Sequence, residues 1–153
     1  MTTVTSPADM TPRERNEFML ARIRSSAPAP YQEGGYVLRV LTVPGRRTGQ
    51  LRSSPIAVVQ RDGQHYLCGP NRRRDWVRNL LAAGWATVEG DEPARHQATL
   101  IESPEAAEVV AAYLGRLGRP STMWPFPSDA PAAQIRPHLT DIAVFRLSPS
   151  PAD

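Results

Sequence analysis

Sixteen prolines break up this chain of 153 residues, about twice the average frequency, and they bound every element it can form. A proline inside a helix removes a hydrogen bond and collides with the preceding turn; inside a sheet it is confined to edges and bulges. What fits between these breaks is a set of short strands, stiff loops and bounded helices.

Thr11-Pro12-Arg13-Glu14 opens the first helix, with a capping hydroxyl, a proline at the first helical position and a glutamate three residues on. Phe18, Met19, Leu20 and Ile23 give it a narrow apolar stripe for the domain edge. The branched run Tyr36–Val43 reads as a strand, Pro44–Gln50 as a turn, and Leu51–Gln60 as a second strand. Pro55 within that second strand implies an edge, a bulge or a ligand-facing irregularity. Asp62-Gly63 is a hairpin signal, and His65–Gly69 returns as the third strand. Asp75–Ala83 reads as a short helix with Trp76 and Leu80 on one face and Gly84 as its stop. A further hairpin spans Trp85–Glu89 and Arg95–Ile101, and Ser103-Pro104-Glu105 opens a helix to about Leu117. Prolines forbid any long element over 118–140, and Asp141–Leu147 closes as a final strand. Six closely spaced antiparallel strands with three peripheral helices favour a small β-barrel over a βαβ sheet. The expected organisation is a flexible arm over 1–10, one barrel domain over 11–148 and a flexible tail over 149–153.

Composition removes several classes of function. No run approaches the length of a membrane helix, and residues 1–10 lack the basic start and apolar middle of a secretory signal, so a cytoplasmic protein without an integral membrane segment is expected. A single cysteine, Cys68, excludes an intrachain disulfide and any multi-cysteine zinc site. His65, His96 and His138 are too widely spaced for a short metal-ligand motif, so no metal is expected; the first two read as ordinary strand histidines. All 18 basic residues are arginines, so Schiff-base lysine chemistry is excluded. If the chain is an enzyme, the reactive atoms come from a cofactor.

The arginines are unevenly placed. Nine lie between Arg39 and Arg78 against two acids, a segment charge of 9 − 2 = +7 in a chain of net charge +3. That pattern suits an anionic partner gripped at one place. Nucleic acid fits poorly, because the segment interleaves few aromatics beyond Tyr66 and Trp76. The strongest local signal is Thr42-Val43-Pro44-Gly45-Arg46-Arg47-Thr48-Gly49-Gln50-Leu51-Arg52-Ser53-Ser54-Pro55, three cations within seven residues on a glycine-bracketed hairpin. Glycines let backbone amides turn toward an anion, and guanidinium groups offer forked donors matched to phosphate oxygens.

With these pieces the chain resembles the deazaflavin-dependent nitroreductase and quinone-reductase family, which binds coenzyme F420 in a split β-barrel. The resemblance rests on Gly45-Arg46-Arg47-Thr48-Gly49-Gln50 with Arg52 and Pro55, the Asp62-Gly63 hairpin, Trp76-Val77-Arg78-Asn79-Leu80, and the strand near Val144. It implies that Arg46, Arg47, Thr48, Gly49 and Arg52 hold the phosphate and the start of the oligoglutamate tail. Ser53, Ser54 and Pro55 fall where the family lines the deazaflavin ring. Cys68, Gly69, Pro70 and Asn71 occupy the loop over the cofactor, with Arg72 beside a position where many members carry lysine; Trp76 and Asn79 start the supporting helix. Where some members place tyrosines, this chain has Met123, Trp124 and Phe126, which implies an apolar, aromatic substrate pocket. His138 and Tyr113 are candidate proton donors. The implied activity is hydride transfer from reduced F420 to an electron-poor double bond of a small molecule: an enone, a quinone or a nitro compound. A flavin such as FMN in the same barrel, or a non-catalytic F420 carrier, are the alternatives, and a homodimer is plausible by analogy.

Overall fold

The computed structural model describes residues 9–150; the ends of the expected arm and tail lie outside that range. The chain runs α1 (Pro12–Arg24), β1 (Tyr36–Pro44), β2 (Leu51–Arg61), β3 (Gln64–Gly69), α2 (Asp75–Ala83), β4 (Trp85–Glu89), β5 (Arg95–Leu100), α3 (Pro104–Leu117), α4 (Ala132–Ile135) and β6 (Ala143–Pro149). All six strands are antiparallel and close a barrel in the order β1-β2-β3-β6-β5-β4. This is the expected architecture. The fourth helix was not anticipated: a single turn leads into a 3-10 turn at Arg136–His138, both fitting between the prolines.

Strand alternation builds two apolar clusters. Inside the barrel, Val37, Leu41, Val43, Ile56, Val58, Leu67, Ala86, Val88, Phe145 and Leu147 meet Val77 and Leu80 of α2, which closes one end. Outside, Val59, Tyr66 and Val144 pack beneath Ala106, Val109, Val110 and Leu114 of α3. Trp124 and Phe126 from the proline-rich stretch complete that outer cluster, with ring centroids 5.7 Å apart. The helix α1 carries the capping box read from Thr11 and Glu14, yet buries none of its residues. It lies across β1 and β2, tied down by Asn16 Nδ2 donating to the Ser53 carbonyl and by the Arg24–Glu89 pair.

The far end of the barrel is closed by polar groups. Arg39 and His96, read from sequence as a cation of the basic segment and an ordinary strand histidine, are only 4% and 3% exposed. The Asp91 carboxylate gathers them: Tyr31 Oη donates to it at 2.6 Å, His96 Nε2 lies at 3.0 Å and Arg39 Nε at 3.4 Å. Arg39 also donates to the Ala29 carbonyl at 2.6 Å, and the His65 ring stacks on Tyr31 at 3.9 Å. Burial pushes the Asp91 carboxyl up, but the bonds from His96, Tyr31 and Arg39 outweigh it and hold the group below its usual range. Burial also pushes His65 down, further than the Asp91 charge draws it up.

Both shifts act in one direction. The unfolded chain takes up protons more readily at His65 below about pH 6.5 and at Asp91 below about pH 4, so acid favours unfolding at each step. Melting temperature should therefore fall as pH drops from 7 toward 5. A His65→Phe variant, which keeps the stacking ring without titrating, should show a shallower fall. Parallel slopes for the two proteins would contradict this account of His65.

Candidate functional site

At the end that α2 closes, β2 pairs with β3 only from Val58 to Arg61, whereas its first half pairs with β1 alone. Pro55 lies in this one-sided stretch, where a missing ladder donor is tolerated. The opening is a cleft of about 820 Å³ between the β1–β2 turn, the start of β2, α2 and α1. Arg46, Arg47, Thr48, Arg52, Ser53, Ser54, Trp76 and Asn79 line it, eight residues that the family resemblance assigns to the cofactor.

Gly45 and Gly49 shape the turn. Gly45 donates to the Gln50 carbonyl and Gly49 to the Gly45 carbonyl, both at 2.8 Å, and Gly49 sits at φ +77°, a conformation glycine adopts without strain. The Thr48 hydroxyl accepts from the Gln50 amide. Across the cleft, the buried Asn79 accepts from both the Arg46 amide at 3.0 Å and its Nη1 at 2.9 Å. Gly69 gives α2 its seat: a Cβ there would stand 2.9 Å from Val77 Cγ2 and 3.1 Å from the Trp76 ring.

Charge in the cleft is only partly compensated. Glu17 pairs with Arg13, and Asp75 pairs with Arg46, each at 3.5 Å. The side chains of Arg47 and Arg52 have no ion pair or hydrogen bond among the described residues. Other arginines of the basic segment are committed elsewhere. Arg39 closes the far end, Arg61 donates to the Glu108 carbonyl, and Arg72 holds the Ile142 and Leu139 carbonyls and pairs with Glu102. Of the nine arginines of the +7 segment, Arg39, Arg61 and Arg72 are structural, Arg46, Arg47 and Arg52 make a focused cationic cleft, and Arg73, Arg74 and Arg78 lie outside that cleft.

The remaining candidates lie apart from this cleft. Pro70, Asn71 and Arg72 line a second hollow of about 510 Å³ with Met123, Trp124 and Thr140. The Phe126 side chain is buried in the outer cluster, and Trp124 presents only a small edge. Cys68 packs against the same cluster, partly buried, where burial pushes its thiol up to about 12 and disfavours the thiolate. Tyr113 sits there too, edge-on to Tyr36, its hydroxyl raised to about 12 chiefly by burial. The His138 ring lies 5.4 Å from Phe126, with Nδ1 3.5 Å from Asp141. Neither proton-donor candidate lines the arginine cleft. Sequence reading missed Arg13, Asn16, Glu17 and Leu20 of α1, which form the cleft's outer wall. The exposed polar face of that helix was the available signal.

A closed antiparallel barrel with uncompensated arginines at a one-sided strand defines a barrel protein suited to an anionic ligand. The chain belongs to the F420H2-dependent quinone reductase family, whose model matches residues 15–117. It is therefore an oxidoreductase that uses coenzyme F420. Among solved structures it is similar to one described as an F420 reductase, at 13% identity over 74% of this chain and 86% of that one, with a TM-score of 0.46. It is also similar to a heme binding protein from Mycobacterium smegmatis, at 19% identity over 95% of this chain, with a TM-score of 0.43; the match spans 52% of that protein. No curated protein matches the chain. Among the described residues, no helix is long and apolar enough to cross a membrane.

Proposed function

We propose that the arginine cleft holds the phosphate and glutamate tail of F420, and that the bound coenzyme reduces an electron-poor enone, quinone or nitro compound. The observation that carries this reading is the pair Arg47 and Arg52, two cations without protein counter-ions in one cleft. Such donors fit a polyanionic tail, since charge-assisted contacts to phosphate and carboxylate are the stronger hydrogen bonds. Arg46, Arg47, Thr48 and Arg52 bind the tail. Ser53, Ser54 and Pro55 lie beside the ring, and the hollow with Asn71, Met123 and Trp124 admits the acceptor.

When bound, the reduced coenzyme supplies a hydride. The chain's own contribution is placement and a partly apolar wall. The turn and α2 fix the tail, and Leu20, Val43 and Trp76 give one side of the cleft an apolar lining. Because Tyr113 and His138 line neither the cleft nor the hollow assigned to the acceptor, the balancing proton comes from solvent.

The test is oxidation of reduced F420 in the presence of a panel of activated alkenes, quinones and nitroaromatics. At least one class should be reduced, with one hydride delivered per coenzyme. Tight coenzyme binding with no oxidation across the whole panel would overturn the acceptor assignment.

A further inference from the structure

The cleft contains one arrangement that tail binding alone does not explain. Arg46 is not free to follow a ligand, because Asn79 Oδ1 receives both its backbone amide and its guanidinium. Asn79 is itself only 6% exposed, in the middle of α2 between Val77 and Leu80, whose side chains are fully buried inside the barrel. One rigid helix therefore sets both the position of the β1–β2 turn and the direction of a cation. The acceptor is a neutral amide, whereas the guanidinium groups of Arg24, Arg39 and Arg61 meet the carboxylates of Glu89, Asp91 and Glu108. A carboxylate in the same place would hold the guanidinium equally well and cancel its charge. Among the described residues the acid paired with Arg46 is Asp75, at 3.5 Å, with a side chain 87% exposed and strongly solvated.

We infer that Asn79 is a positioning residue: its amide oxygen aims Arg46 at the anionic end of the coenzyme without discharging it. This rests on the reading of the cleft as the tail site and deepens it. Asn79 acts chiefly through the Arg46 side chain, so its effect should be confined to ligands that carry the anionic tail and should shrink once that side chain is gone. The backbone bond adds a second consequence, that the turn presenting Arg47 and Thr48 shares the same anchor.

The experiment is fluorescence titration of F420, and of the same deazaflavin with its ribityl chain but no phosphate or glutamates. The proteins are wild type, Asn79→Ala, Asn79→Asp, Arg46→Ala, the Arg46→Ala/Asn79→Ala pair and Arg47→Ala, each with its melting curve. Asn79→Ala should weaken F420 about tenfold, the size of one charge-assisted contact. Asn79→Asp should keep its melting temperature and yet weaken F420 by a similar factor at low salt, because it cancels the charge it aims. Both should bind the phosphate-free compound as wild type does. In the paired variant the second change should add less than about threefold, as coupled residues do. Full additivity, equal losses for both ligands, or wild-type F420 binding by Asn79→Asp would each overturn the inference. If Arg47→Ala weakens F420 while both Asn79 variants bind normally, the inference fails and the tail site stands. If Arg47→Ala binds normally, the tail site itself fails.

Discussion

Asp91→Ala should be among the most destabilising single changes in this protein, lowering its melting temperature by about 6–20 °C. The reason is the Arg39 guanidinium, which lies almost wholly inside the far end of the barrel with Asp91 as its counter-ion. Removing one partner of a buried pair strands the other charge, at a cost of about 3–5 kcal/mol. For a domain of this size each kcal/mol shifts the midpoint by about 2–4 °C. The carbonyls of Ala29 and Leu38 still receive Arg39, which places the loss toward the lower part of that range. Replacing both ends, as Arg39→Met with Asp91→Ala, should recover part of the stability, since apolar substitutes for buried pairs are often neutral. Thermal denaturation of the two variants provides the check. An Asp91→Ala midpoint within about 2 °C of wild type would show that this network does not hold the barrel end closed. Arg39→Met should leave F420 affinity unchanged, because Arg39 closes the end of the barrel opposite the cleft.

Much of the barrel was legible because its signals are local. The branched run of β1, the Asp62-Gly63 hairpin, the Asp75–Ala83 helix with its Gly84 stop and the Thr11 capping box all appear in the structure. The glycine-bracketed turn was readable for the same reason, since φ at Gly49 is a property of one residue. What sequence could not supply depends on partners far along the chain. Arg39 meets Asp91 across 52 positions, and Asn79 meets Arg46 across 33. Nothing local marks Arg39 as buried or Arg47 as free, so the basic segment looked uniform. Likewise, Phe126 reads as a pocket aromatic until the prolines around it fold it onto α3. The wall formed by α1 was hard to read because its apolar stripe of Phe18, Met19, Leu20 and Ile23 marks only a helix at the domain edge, while the polar Arg13, Asn16 and Glu17 that line the cleft name no neighbour.

Removing Arg47 or Arg52 as alanine should weaken F420 about tenfold to a hundredfold each. A contact from a guanidinium to phosphate or carboxylate contributes about 1.5–3 kcal/mol, and each 1.4 kcal/mol is a factor of ten in affinity. Neither side chain has a protein partner to lose, so the melting temperature should hardly move, and the loss belongs to binding. Lysine at position 47 should restore part of the affinity, as it returns the charge without the fork. Arg61 is the control: it serves Glu108 on α3, and Arg61→Ala should leave the coenzyme unaffected. The most direct measurement is therefore the F420 dissociation constant of wild type, Arg47→Ala, Arg52→Ala and Arg61→Ala at low and high salt. The cleft as tail site predicts large losses for the first two variants, none for the third, and a salt dependence steeper in wild type than in Arg47→Ala or Arg52→Ala. Equal behaviour of Arg47→Ala and Arg61→Ala would contradict it and place the coenzyme elsewhere on the barrel.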